Sequence, residues 1–86
     1  NLSTITYGDE SHSLSVRQSE ILTLLAENVG RVVDRDTILT QIWGDTSYSN
    51  SLALNVQITY LRRLLTDSAL SIVNIKKKGY ILQINR

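Results

Sequence analysis

The 86-residue chain predicts an α+β fold of one small domain. Three observations predict it. Short stretches suited to a pleated surface open the chain before any helical pattern begins. Three segments with apolar residues at three- and four-residue spacing fill the middle. Two runs rich in isoleucine and valine, separated by three lysines, close it. A second core would not fit in this length. With 42% hydrophobic and 20% charged residues, the composition is that of a folded protein and not of a disordered one.

Taken in order, Leu2 to Thr6 reads as a strand, with Thr4, Ile5 and Thr6 suited to a sheet. Gly8-Asp9-Glu10 is a turn signal, and Ser11 to Leu14 pairs back as a short second strand. Ser15 begins the first helix, because Ser15 and Gln18 have the spacing of a capping box. Ile21, Leu22, Leu24, Leu25 and Val29 supply its apolar stripe, and Gly30 its stop. Arg31 to Val33 is an extended link. Asp34 is the N-cap candidate of a second helix over about 35–43, whose apolar face is Ile38, Leu39, Ile42 and Trp43. Residues 44–50 are turn and cap types apart from Tyr48, which predicts a loop. Asn50 or Ser51 then caps a third helix running to about Leu65. Ser71 to Ile75 and Gly79 to Ile84 read as a hairpin with Lys76, Lys77 and Lys78 at its tip.

The third helix is where position bears on function. Leu54, Ile58, Leu61 and Leu65 share one side at helical periodicity and form the buried stripe. Leu52, Val56, Thr59 and Arg63 lie opposite, flanked by Tyr60 and Arg62. A purely structural helix would fill that outer side with glutamate and lysine. This one has no acidic residue from Leu52 to Thr66.

The net charge of +1 conceals an asymmetry. Residues 1–58 carry three arginines against seven acidic residues, a balance of −4. Residues 59–86 carry six basic residues against Asp67, a balance of +5. Such a split points to a polyanionic partner for the C-terminal part.

Enzyme chemistry finds little support. His12, the one histidine, is read as an exposed residue of a polar N-terminal turn. There is no cysteine, so neither a disulfide framework nor a thiolate metal site is expected. No glycine-rich phosphate loop is formed by the four scattered glycines. Asp34 and Asp36 are explained as a cap and a first-turn acid. No cofactor or metal is expected. No apolar run is long enough to span a membrane, no leader pattern is seen, and a cytoplasmic location is expected. The missing initiator methionine suggests a fragment of a longer protein.

Binding to double-stranded DNA is well supported. A short helix, a connection and a second helix with a basic outer side make a helix-turn-helix, and a basic hairpin directly after it makes a wing. The helix suits the major groove and the hairpin tip suits phosphates or an adjacent minor groove. A winged-helix module for protein partners would show an acidic or broadly apolar outer side, which this reading does not find. Single-strand binding would want several aromatics on one surface, and Tyr48, Tyr60 and Tyr7 do not share an element.

Across nearly its whole length the chain resembles the winged helix-turn-helix effector domain of OmpR/PhoB-type response regulators. The resemblance is carried by "LSVRQSEILTLLAENVGRVVDRDTILTQIWG" at residues 14–44, "LNVQITYLRR" at 54–63 and "NIKKKGY" at 74–80. It implies a base-reading face centred on Val56, Gln57, Thr59 and Tyr60. It implies DNA-backbone contacts from Arg62, Arg63, Asn74, Lys77, Lys78 and Tyr80, with Lys76 at the wing position that enters the minor groove. The segment Asp45, Thr46, Ser47 and Tyr48 corresponds to the loop that meets RNA polymerase. The family binds tandem half-sites as a head-to-tail dimer on DNA, with a receiver domain upstream. ToxR-like one-component regulators, anchored in a membrane, are the second choice of context. The departures are Asn55 for the usual aspartate, Leu52 and Ala53 where a basic residue is frequent, Tyr60 for a basic base reader, and Lys77 for the wing glycine. They imply a target site not shared with relatives, and more charge contacts from the wing than from the helix.

Overall fold

The computed structural model describes residues 4–7 and 10–85. The element order is β1 (Thr4–Tyr7), β2 (Glu10–Ser13), α1 (Val16–Ala26), β3 (Val33–Asp34), α2 (Arg35–Trp43), α3 (Tyr48–Leu64), β4 (Leu70–Ile75) and β5 (Gly79–Ile84). β1 and β2 form an antiparallel pair of their own, and the other strands form an antiparallel sheet in the order β3-β5-β4. This is the predicted α+β winged-helix arrangement of strands, three helices and hairpin. Leu2, Gly8 and Asp9, named above, and the C-terminal Arg86 lie outside the described residues.

α1 starts where the sequence predicts. The Ser15 hydroxyl accepts from the Gln18 amide at 3.1 Å, and the Gln18 side chain accepts from the Ser15 amide at 3.0 Å. Two of the first-turn amides are thereby satisfied. Ile21, Leu22 and Leu25 enter the core, while Val29 stays exposed beyond the helix end. α2 closes on Gly44, whose φ of 90° lies in the left-handed region. Ile38 and Leu39 are buried, and Ile42 and Trp43 pack against the core from its margin. The Arg17 guanidinium lies 4.7 Å from the centre of the Trp43 ring and donates to the Ile42 carbonyl at 2.5 Å. That contact ties the start of α1 to the end of α2.

The stripe predicted for α3 is the centre of the core. Leu54 and Leu61 are fully buried, and Ile58 and Leu65 nearly so. They meet Ile72 and Leu82 of the hairpin and the inner faces of α1 and α2 in one cluster.

Four expectations about elements are corrected. α3 begins at Tyr48, not after Asn50, because Ser47 caps it by accepting from the Asn50 amide at 3.3 Å, so that Tyr48 and Tyr60, expected on separate elements, share one helix. Asp34 holds the N-cap position of α2 but makes no side-chain cap bond. The link through Val33 is a strand, since Val33 and Asp34 pair with Tyr80 and Gly79. His12 lies in β2 opposite Ile5 and not in a turn.

Candidate nucleic-acid interface

α3 lays its buried stripe on the core and turns its other side to solvent. Leu52, Val56 and Tyr60 are about half exposed, at 47%, 50% and 48%. Tyr48, now the first residue of the helix, is 79% exposed. No charged side chain occurs between Tyr48 and Leu61, so the outer side, expected to be basic, is basic only in its last turn and largely apolar before it. Thr59 is exposed, and its hydroxyl donates back to the Asn55 carbonyl at 3.0 Å. Arg62 and Arg63 sit in the last turn, where the helix dipole favours cations.

The hairpin carries the lysines outward. β4 and β5 pair from Leu70↔Ile84 to Ile75↔Gly79, leaving Lys76, Lys77 and Lys78 as the exposed tip. The tip is closed by the Lys78 amide donating to the Ile75 carbonyl at 3.0 Å. Lys77, third in that turn, has a φ of 65°, a conformation for which turns of this kind usually take glycine. The chain therefore holds a cation where the backbone would prefer none, at a conformational cost of about 1 kcal/mol.

A shared arginine joins helix and wing. Arg35, the first residue of α2, donates through Nε and Nη2 to the Ser51 hydroxyl at 3.1 and 2.6 Å. Nη2 also donates to the Ser51 carbonyl at 2.8 Å and to Asn55 Oδ1 at 2.7 Å. Nη1 donates to the Tyr80 hydroxyl at 2.8 Å, which in turn donates to Asn55 Oδ1 at 3.4 Å. The Arg35 amide donates to the Lys78 carbonyl at 2.9 Å. One residue thus grips the first turns of α3, the ring of β5 and the base of the lysine tip. Its charge meets no carboxylate within ion-pair distance among the described residues. Arg35, Asn74, Lys76, Lys78 and Tyr80 line a cleft at the root of the wing together with Asp34 and Asp36.

The residues named from sequence fall into two groups. Val56, Thr59, Tyr60, Arg63, Asn74, Lys76, Lys77 and Lys78 all present exposed side chains. Gln57 and Tyr80 are engaged inward, and Arg62, although exposed, turns one donor inward. The Gln57 carboxamide oxygen is buried and has no hydrogen-bond partner among the described residues. Arg62 Nε donates to the Ile72 carbonyl at 3.0 Å, bracing β4 against α3. Tyr80 is 4% exposed, so its ring is core and its hydroxyl belongs to the Arg35 cluster. Arg35 itself was not among the site residues expected from sequence. The available signal was a cation at the first position of a helix, where the dipole disfavours it unless something else holds it.

Of the expected polymerase-contact segment, Asp45, Thr46 and Ser47 form the exposed link between α2 and α3, and Tyr48 is helical. Asp45 Oδ1 accepts from the Ser47 amide at 3.0 Å and from the Asn50 side chain at 2.6 Å. These bonds, led by the Ser47 amide, hold the Asp45 carboxyl below its usual value of 3.8.

The geometry matches known proteins closely. The family model described as "Transcriptional regulatory protein, C terminal" matches residues 9–82. The chain belongs to this OmpR/PhoB-type family. The family is one of DNA-binding transcription-regulator domains, not an enzyme class. The transcriptional regulatory protein RprY of Bacteroides fragilis is 38% identical over 79 residues, covering 91% of this chain and 34% of RprY. The chain thus spans about a third of the length of that relative. Among solved structures, the C-terminal domain of the nisin resistance regulator NsrR, a lantibiotic response regulator, superposes with a TM-score of 0.81 at 26% identity. That match covers 98% of this chain and 88% of NsrR's. The Klebsiella pneumoniae RstA DNA-binding domain, solved in complex with the RstA box, gives a TM-score of 0.73 at 28% identity. It covers 93% of this chain and 96% of that one. No helix among the described residues is long and apolar enough to cross a membrane.

Within this OmpR/PhoB-type domain, Arg35 is the residue on which the relative placement of helix and wing depends. Arg35→Ala removes every guanidinium donor of the cluster and leaves the Ser51 carbonyl, Asn55 Oδ1 and the Tyr80 hydroxyl each one partner short. A loss of about 2–3 kcal/mol in urea unfolding is expected. Arg35→Lys should recover only part of it, because an ammonium cannot reproduce the planar fork. Equal stability of all three proteins would show that the cluster carries no weight.

Proposed function

We propose that this domain is the output module of a longer, cytoplasmic two-component response regulator and binds a specific double-stranded DNA site. α3 lies in the major groove, where Val56, Thr59 and Tyr60 meet base edges. Arg63 and the wing lysines Lys77 and Lys78 hold phosphates, with Asn74 beside them, and Lys76 enters the minor groove. Arg62, exposed beside Arg63, reaches phosphate while its Nε braces β4, and Tyr80 fixes the wing to the helix. The domain binds tandem half-sites head to tail, about one helical turn apart. The exposed segment from Asp45 to Tyr48 meets RNA polymerase, and a receiver domain precedes the module.

One observation carries this reading. The outer side of α3, free of acidic residues, is tied through Arg35 to a hairpin tip bearing three consecutive lysines. Selection from a random duplex library at two salt concentrations tests it. A short motif repeated at one-turn spacing is expected. Salt-sensitive binding without a motif would remove the base-reading role of α3, and no binding at either salt would refute the reading.

A further inference from the structure

The earlier start of α3 brings out a pattern. Tyr48, Leu52, Val56 and Tyr60 follow one another at four-residue intervals, and all four are exposed. Residues four apart are neighbours on a helix, so these side chains form one continuous row. Three of the polar groups beside the row are held elsewhere, among them the Asn55 side-chain oxygen, which accepts from Arg35 and Tyr80. The Thr59 hydroxyl is spent on the Asn55 carbonyl, which leaves its methyl group to the surface. The Gln57 carboxamide oxygen is buried. Cations lie at the borders, in Arg63 at the helix end and Lys76 to Lys78 on the wing, and none lies within the row. An apolar row framed by cations is complementary to a polyanion that offers apolar groups between its charges.

We propose that the recognition helix reads its site through thymine methyl groups, with Leu52, Val56, Tyr60 and the Thr59 methyl as the specificity-determining contacts. The proposal rests on the DNA-binding reading above and names the ligand class it implies. In the major groove guanine presents two acceptors, adenine an acceptor and a donor, and cytosine a donor, while thymine adds a C5-methyl group. Guanine is usually met by Arg or Lys and adenine by Asn or Gln. The row presents none of these. Carbon pressed on a polar base edge would desolvate it without return, whereas carbon pressed on a methyl group buries apolar surface on both sides. The rise from Leu52 to Tyr60 is about 12 Å, or about three to four base steps. Each half-site should therefore hold a cluster of thymines, on either strand, within that span.

The test uses the duplex enriched by library selection, resynthesised with deoxyuridine in place of thymidine. This removes the C5-methyl group and leaves the Watson–Crick pairing intact. The wing contacts are unaffected because that methyl lies in the major groove. Each methyl lost under α3 should weaken binding about three- to fivefold, and loss of all of them by more than about tenfold. Leu52→Ala/Val56→Ala, at exposed positions, should narrow the difference between the two duplexes, leaving only the part due to Tyr60 and the Thr59 methyl. Equal binding of both duplexes by the unaltered protein, or a selected motif without thymine clusters, would overturn the methyl reading while DNA binding stands. Failure to enrich any duplex would overturn both readings.

Discussion

Gly79→Ala is expected to lower the stability of the domain by about 3 kcal/mol or more, a large share of the margin of a domain this small. A β-carbon at Gly79 would lie 1.9 Å from the Val33 carbonyl oxygen, 2.8 Å from its carbon and 3.0 Å from the Arg35 nitrogen. All three atoms are backbone, so no side chain can move aside. Relief requires β3 to part from β5, which breaks the Val33↔Tyr80 and Asp34↔Gly79 pairing. The same parting stretches the bond from the Arg35 amide to the Lys78 carbonyl and draws Tyr80 out of the core. Gly44→Ala is the proper comparison. Its φ is 90°, but an added β-carbon would meet nothing within 4 Å. That variant should lose only about 1 kcal/mol, the cost of a left-handed conformation alone. Urea unfolding of the two variants separates steric exclusion from backbone preference. A Gly79→Ala protein as stable as Gly44→Ala would mean that β3 does not sit against β5.

What could be read from sequence divides along physical lines. The stripe Leu54, Ile58, Leu61 and Leu65 was legible because helical periodicity converts directly into burial. The capping box at Ser15 and Gln18 was legible because both partners lie three residues apart in the chain. The hairpin was legible because its strands flank the lysine tip without interruption. β3 was not legible: two residues carry no period, and their pairing exists only because Gly79 lets two backbones approach. The start of α3 was hidden because Tyr48, Ser49 and Asn50 have the composition of a loop. Their helical state is set by the Ser47 cap and the carboxylate of Asp45. That miss concealed the full apolar row on α3. The inward roles of Gln57, Arg62 and Tyr80, and the whole part played by Arg35, depend on contacts between residues far apart in sequence. A wheel drawn for one helix cannot contain them.

Replacing the wing lysines should affect DNA binding most. In Lys76→Ala/Lys77→Gly/Lys78→Ala an affinity loss of about a hundredfold is expected near 0.1 M salt, for specific and random duplexes alike. Each phosphate contact contributes about 0.9 to the slope of log K against log salt, so that slope should become shallower by about 2 to 3. Glycine is chosen at position 77 because the backbone there has a φ of 65°, which glycine adopts freely and alanine does not. With that choice the fold should be unharmed, or stabilised by up to about 1 kcal/mol as the strain at Lys77 is released. Lost affinity together with kept or raised stability cannot be ascribed to unfolding. It would mean that the lysine tip serves binding and not the stability of the fold. The lysines make no ion pair among the described residues, so no internal contact is broken by removing them. An unchanged salt slope would show that the phosphates are held elsewhere, with Arg62 and Arg63 at the end of α3 and Arg35 in the cleft at the wing root among the cations left to hold them.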